Sequence, residues 1–188
     1  TLRSLGFGLG FNRHKILGSV VPILDTYTGA SVAYSLRNLS SNTTNVVRVR
    51  RSSNDDEQDF TAAEVSDGTL TTFVGAGNDG FVTTWYDQSG NTNNATQASA
   101  SAQPKIVDTG SLIIINGKPS VQSSGTETLA FTTTTTSGFT AKSVFAVSNF
   151  EQTGSATRFL YADNFNFSNE SQIITGGTSD NRVSFSNQ

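Results

Sequence analysis

Apolar and polar residues alternate over short distances along most of this chain. In NVVRVRR at 45–51, Val47 and Val49 alternate with Arg48 and Arg50, the period of two that gives a strand one wet face. The same grain recurs at 81–86, 105–108, 111–115, 120–122, 129–132, 143–149, 157–162, 171–175 and 182–186, with breaks such as Asn116-Gly117, Asp108-Thr109-Gly110 and Gly176-Gly177 between the segments. Short strands broken at nearly regular intervals predict an all-β, antiparallel sandwich or barrel rather than βαβ units. Two stretches carry a different period. Ala30, Val32, Ala33, Leu36 and Leu39 fall on one face of a short helix with Thr28 as its N-cap. DGTLTTFV at 67–74 predicts another turn or two of helix, ended by Gly75 and Gly77. The threonine run 132–136 reads as a loop or an edge.

Residues 1–24 stand apart from the domain at 25–188. Leu5-Gly-Phe7-Gly-Leu9-Gly-Phe11 puts glycine at every second position, which removes the side chains that a free-standing strand would pack. A disordered tail is one reading, but such tails are poor in large apolar residues. The other is an arm that orders by laying Leu5, Phe7, Leu9 and Phe11 into another subunit, with Pro22 marking the passage into the domain. A homo-oligomer is the expectation that goes with it.

Composition removes several classes. The 188 residues include no cysteine and one histidine, His14, so disulfide scaffolds, thiolate zinc sites and multi-histidine metal centres lack parts, and an ordinary Ser-His-Asp triad would need His14 to reach a site from the N-terminal tail. Neither a cofactor nor a metal is expected. Twelve basic and fifteen acidic residues give 12 − 15 = −3, and only 14% of residues are charged, which argues against nucleic acid as a partner. No stretch approaches the about 18 apolar residues of a membrane span, and the N-terminus lacks a signal-peptide core. Thr1 reads as the residue left after an initiator methionine is removed, hence synthesis in a host cytoplasm. The Asn-x-Ser/Thr matches at Asn38, Asn42, Asn94, Asn166 and Asn169 read as chance in a chain this rich in Asn, Ser and Thr. The apparent strand at 182–186 has no closing turn after it, which predicts that the sandwich continues past residue 188.

Two constellations carry candidate chemistry. Arg48, Arg50 and Arg51 precede Asp55, Asp56, Glu57 and Asp59. An acidic loop suits calcium, but it lacks the glycine and distal glutamate of an EF-hand, and the arginines can neutralise it as a salt-bridge network. Gln58 and Asp59 are expected to fix the turn. The second constellation is FVTTWYDQSGN at 81–91, which holds the chain's only tryptophan. Asp87 and Ser89 can accept hydrogen bonds from the backbone that follows them, while Gly90 and Asn91 tolerate positive φ, so a tight turn forms on local physics. An indole or phenol face can carry a pyranose, and amides supply the donors and acceptors that sugar hydroxyls need. Trp85, Tyr86, Asp87, Gln88, Asn91 and Asn93 are therefore candidate carbohydrate-binding residues. The competing reading makes Trp85 core and the turn its corner.

WYDQSGNTNNATQ at 85–97, AQPKIV at 102–107, INGKPSV at 115–121, and upstream AYSLRNLS at 33–40 and VRVRRSSNDDEQDF at 47–60, taken together in order, resemble the lectin-like sandwich of a family of concanavalin A-type proteins. The resemblance covers roughly residues 25–122. It implies a jelly-roll β-sandwich. Members of that family resemble bacteriophage tail-fibre or other virion-surface proteins, and the YDQSGN element also occurs in the catalytic domain of fungal B-type α-L-arabinofuranosidases. A retaining glycosidase needs two carboxyl groups about 5 to 5.5 Å apart and an inverting one about 6.5 to 9.5 Å. After Asn91 the acids are Asp108, Glu127, Glu151, Asp163, Glu170 and Asp180. None matches the family's catalytic motifs, and Asp163 with Glu170 is the nearest to a candidate pair. The expected function is that of a bacteriophage virion structural protein, a tail fibre, spike or capsid-surface subunit. Its arm would dock onto other virion proteins and its domain would face host-surface glycans. The alternatives are an arabinofuranosidase-like hydrolase and a ligand-free decoration subunit.

Overall fold

The computed structural model describes residues 21–131 and 145–149 with their side chains, and the backbone of three strands within 158–187. Leu5, Phe7, Leu9, Phe11 and His14, like the threonine run, lie outside the described residues. The chain is all-β with a few short helices. Strands β1 (Val47–Arg51), β2 (Glu57–Phe60), β3 (Gly80–Trp85), β4 (Ala95–Thr96), β5 (Lys105–Asp108) and β6 (Ser111–Leu112) form one antiparallel sheet, ordered β2-β1-β3-β5-β6, with β4 also paired to β3. A hairpin follows, β7 (Ile114–Ile115) with β8 (Lys118–Pro119). Strands β9 (Arg158–Ala162), β10 (Ser171–Gly177) and β11 (Asp180–Asn187) form a second antiparallel sheet, ordered β11-β10-β9.

Alternation explains the first sheet. Val47 and Val49 on β1 and Val82 on β3 are fully buried, while Arg48 and Arg50 point the other way. The buried face is closed by two helices, α2 (Ala62–Ser66) and α3 (Thr69–Val74), which follow a first short helix, α1 (Ile23–Thr26). Thr61 and Glu64 start α2 as a reciprocal cap: the Glu64 amide donates to Thr61 Oγ1 at 3.3 Å and the Thr61 amide to Glu64 Oε2 at 2.8 Å. On α3, Leu70 and Val74 lie four residues apart on one face and are both buried. The resulting core holds Val46, Val47, Val49, Phe60, Val65, Leu70, Val74, Val82, Ile106 and Val107. Gly80 sits where α3, β1 and β5 converge; a Cβ there would lie 2.9 Å from Val74 Cγ2, 3.0 Å from Val107 Cβ and 3.2 Å from Val49 Cγ1.

One irregularity determines where the tryptophan goes. Val49 pairs with Val82 and Arg48 with Thr84, so Thr83 is an extra residue on β3. A bulge of this kind shifts the side-chain phase by one. Beyond it, Trp85 pairs with Val47 and packs against the core, whereas strict alternation would have set Val82 and Trp85 on opposite faces.

Several expectations are corrected. The predicted helix over 28–39 is irregular chain; among the described residues the helix nearby is α1, with Pro22 at its N-cap. Gly29 takes φ +90, and the backbone groups that a helix would pair internally are taken by side chains of another segment, described below. The acidic stretch after Arg51 yields a strand, β2, that was not anticipated. Residues 145–149, part of an expected strand, have no ladder partner among the described residues, and Phe145 and Val147 are fully exposed. Of the strand expected at 129–132, the described residues 129–131 make an isolated bridge, Ala130 to Thr96.

Candidate functional site

The arginine and acid constellation forms a closed set of ion pairs. Arg48 Nε donates to Glu57 at 2.7 Å and its Nη1 to Asp59 at 3.2 Å. Arg50 pairs with Asp55 and donates to Gln103 Oε1 at 2.8 Å, its guanidinium lying 4.9 Å over the Phe81 ring. Arg51 pairs with Asp56, donates to Asn54 and to the Phe73 carbonyl, and lies 4.9 Å over the Phe73 ring. Hydrogen bonds from Arg51 and Asn54 hold the Asp56 carboxyl below its ordinary range. Among the described residues no group of three or more acids or histidines is placed to hold a metal ion. The network is internal, as the arginine spacing suggested. Asp59 does not fix the turn: it lies on β2 and accepts the Tyr86 hydroxyl at 2.7 Å, tying the end of β3 to β2. Burial, then this bond, pushes the Tyr86 phenol up.

At the polar corner after β3, local turn chemistry is as expected in part. The Ser89 amide donates to Asp87 Oδ1 at 2.9 Å and the Asn91 amide to Ser89 Oγ at 3.2 Å, with Gly90 at φ +92. The second left-handed residue is Thr92, at φ +59, rather than Asn91.

The corner's remaining bonding is long-range. Asp87 Oδ1 also accepts the Ala33 amide at 2.8 Å, while its Oδ2 accepts the Ser89 hydroxyl at 2.7 Å and the Asn93 amide at 3.0 Å. Gln88, only 4% exposed, accepts the Leu39 amide at 2.7 Å and donates to the carbonyls of Ser35 at 2.8 Å and Arg37 at 3.1 Å. Asn91 Nδ2 donates to the carbonyls of Ala30 and Ser31, and Asn93 Nδ2 donates to that of Ser31. The Tyr34 hydroxyl returns the tie by donating to the Asn93 carbonyl. These four side chains thus supply, for the segment 30–39, the backbone partners that a helix would have found in itself. That is the physical reason the helical spacing of Ala30, Val32, Ala33, Leu36 and Leu39 produced no helix.

Trp85 sits at the foot of this brace. Its ring lies 6.1 Å from that of Tyr34, which in turn lies 6.3 Å from Phe131, within the range of favourable aromatic pairs. Its Nε1 is buried and has no hydrogen-bond partner. Of the six candidate sugar-contacting residues, Trp85 and Gln88 are turned inward and Tyr86 is engaged by Asp59. Asp87 is fully engaged, and Asn91 and Asn93 form the outer rim. Asn91 is exposed.

The downstream acids within the described residues are also engaged. Asp108 pairs with Lys105 at 2.8 Å, and Lys105 reaches Asp79 at 2.9 Å. Glu127 is wrapped by its own loop: its carboxylate accepts the Ser124 amide at 2.8 Å and hydroxyl at 2.7 Å, the Gly125 amide at 3.0 Å, the Thr126 amide at 3.2 Å and the Ser123 hydroxyl at 3.1 Å. Burial alone pushes this carboxyl up, but bonds from Ser124, its own backbone and Ser123 outweigh it and bring the group down to about 2. Such a group stays ionised and occupied, which suits neither a general acid nor a nucleophile. Glu151, Asp163 and Glu170 lie outside the described residues, and Asp180 is described by its backbone alone.

Among the described residues no helix is long and apolar enough to cross a membrane. No family model, curated protein or solved structure matches the chain.

Proposed function

We propose that the chain is a structural subunit of a bacteriophage particle. In this reading a concanavalin A-like sandwich is held to other virion proteins by the leader at 1–24 and presents its outer rim to host-surface glycans. The observation that carries the non-enzymatic part of this reading is the saturation of the YDQSGN corner. Asp87 spends its oxygens on Ala33 and on Ser89 and Asn93 of its own turn, Gln88 spends its amide on the segment 30–39, Glu127 is wrapped by its own loop, and Asp108 is paired with Lys105. A carboxylate with every lone pair engaged has none left for a substrate. For glycan contact this reading favours the exposed Asn91, whose Nδ2 is spent on Ala30 and Ser31 but whose Oδ1 makes no hydrogen bond among the described residues, over Trp85 and Gln88. The virion assignment itself rests on the resemblance of the ordered motif string and on the greasy leader.

The test has three arms. Deleting residues 1–20 is expected to leave a folded domain that is no longer incorporated into particles; unchanged incorporation would refute the docking role. The full chain is expected to bind on a glycan array, with binding lost in an Asn91→Ala variant whose urea unfolding shows it still folded. Silence at every sugar would favour a ligand-free decoration subunit. Release of arabinose from a chromogenic arabinofuranoside would instead establish the hydrolase.

A further inference from the structure

We propose that Asn116 is a site of spontaneous deamidation, exposed at the tip of the β7–β8 hairpin. The sequence contains one Asn-Gly pair, Asn116-Gly117, and two Asp-Gly pairs, Asp67-Gly68 and Asp79-Gly80. In all three, a glycine offers its amide nitrogen to the preceding side-chain carbonyl with no Cβ in the way. What separates them is how each carboxyl or amide is held.

Asp67 Oδ1 accepts the Thr69 amide at 2.9 Å at the start of α3. Asp79 Oδ1 accepts the Thr109 amide at 2.8 Å and its Oδ2 pairs with Lys105, while Gly80 is buried within β3. These bonds hold both carboxyls below their ordinary range, ionised and engaged. Asn116 and Gly117 are exposed, and nothing lies within 4 Å of the position a Gly117 Cβ would occupy. Neither the Asn116 side chain nor the Gly117 amide makes a hydrogen bond among the described residues. The hairpin pairs Ile114 with Pro119 and Ile115 with Lys118, and behind these the Ser120 amide donates to the Ile113 carbonyl at 2.9 Å; so short a two-stranded tip is marginal on its own. Attack requires Asn116 and Gly117 to leave their left-handed conformations, φ +50 and +73, against the Ile115–Lys118 pair at the tip, with the Ile114–Pro119 pair and the Ser120-to-Ile113 bond behind it.

The chemistry needs only water. The Gly117 amide nitrogen gives up its proton and bonds to Asn116 Cγ; the bond from Cγ to the side-chain nitrogen breaks, and ammonia leaves with the returned proton. Water then opens the five-membered imide at either carbonyl, giving aspartate or isoaspartate. Nothing is oxidised or reduced. Each event replaces a neutral amide with a carboxylate, and the isoaspartyl product inserts a methylene into the backbone of the two-residue turn, which the Ile115–Lys118 register cannot accommodate.

The experiment incubates the full chain at mildly alkaline pH, natively and in urea, and follows each Asn and Asp peptide by mass spectrometry together with an isoaspartate methyltransferase assay. Natively, the Asn116 peptide is expected to convert at least an order of magnitude faster than any other asparagine peptide. Asp67 and Asp79 should form isoaspartate only in urea. The acidic charge variant on isoelectric focusing should disappear in Asn116→Gln, whose circular dichroism spectrum should match the parent. A native chain that keeps Asn116 intact while the urea sample loses it would overturn the proposal, as would native conversion spread evenly over the asparagines.

Discussion

Replacing Gln88 with alanine is the most direct probe of the brace. The side chain is 4% exposed and makes three hydrogen bonds to the segment 30–39. Its removal strips the Leu39 amide of an acceptor and the Ser35 and Arg37 carbonyls of a donor. Arg37 is exposed, so its carbonyl can turn to water, but Leu39 and Ser35 are half-buried and each stands to lose about 1 to 3 kcal/mol when left unpaired. Allowing for partial rehydration and a small cavity, the expected cost is about 2 to 4 kcal/mol, a fall in Tm of roughly 5 to 15 °C for a chain of this size. Gln88→Glu gives an independent check. Its carboxylate can still accept from Leu39 but faces two carbonyls with no proton to offer, so it should be as destabilising as alanine at neutral pH. Protonation restores one donor, so the folded-state pKa of this glutamate lies above the unfolded value and the variant should regain stability as pH falls. Urea denaturation gives the free energies, and hydrogen exchange at the Leu39 amide reports the local opening. If Gln88→Ala costs less than about 0.5 kcal/mol, the range of an ordinary surface change, and Leu39 exchange is unaltered, the brace is not what holds 30–39.

Other outcomes follow from the same geometry. Gly80→Ala forces a Cβ to 2.9 Å from Val74 and 3.0 Å from Val107 and should cost about 1 to 3 kcal/mol in thermal or urea unfolding, since a packed core absorbs an added methyl poorly. Thr61→Ala removes the α2 cap and should cost about 0.5 to 2 kcal/mol, with Thr61→Ser close to neutral. Glu127 has a folded-state value lowered from 4.5 to about 2, so its contribution is present above 4.5 and lost as pH falls through that interval. Glu127→Gln should therefore be less stable than the parent at neutral pH, with the gap closing between about 4.5 and 2 in a pH series of denaturation curves.

Strand β1 was legible because alternation and burial agree there, with Val47 and Val49 on the buried face; β5 was legible as a short apolar pair between turn residues, and both Ile106 and Val107 are buried. The helix at 69–74 was legible from the Leu70 and Val74 spacing and its glycine stop. Helix α2 was overlooked although Thr61 and Glu64 stand at capping-box spacing, a signal that reading for apolar periodicity alone passes over. Strand β2 was hidden because Glu57, Gln58 and Asp59 are all partly solvated and only Phe60 is buried, so a strand whose exposed side faces arginines looks like a loop. The bulge at Thr83 has no signature in FVTTWY, because a one-residue slip is decided by how β1 and β3 pair and not by β3 itself.

The polar corner shows the deeper limit. Aspartate, glutamine and asparagine at 87–93 offer the same donors and acceptors to a sugar as to a peptide backbone, so residue type cannot choose between a binding site and a brace. The choice rests with whichever partner the fold brings within reach, and here that partner is a segment some fifty residues upstream in sequence. The helical reading of 28–39 and the candidacy of Asp87 and Gln88 as sugar-contacting residues both turn on this one contact, which takes backbone groups of 30–39 and polar groups of those two side chains. A helical period counts as evidence for a helix only if the segment's amides and carbonyls have no better offer, and a cluster of amides counts as a site only if the surrounding chain is already satisfied without them.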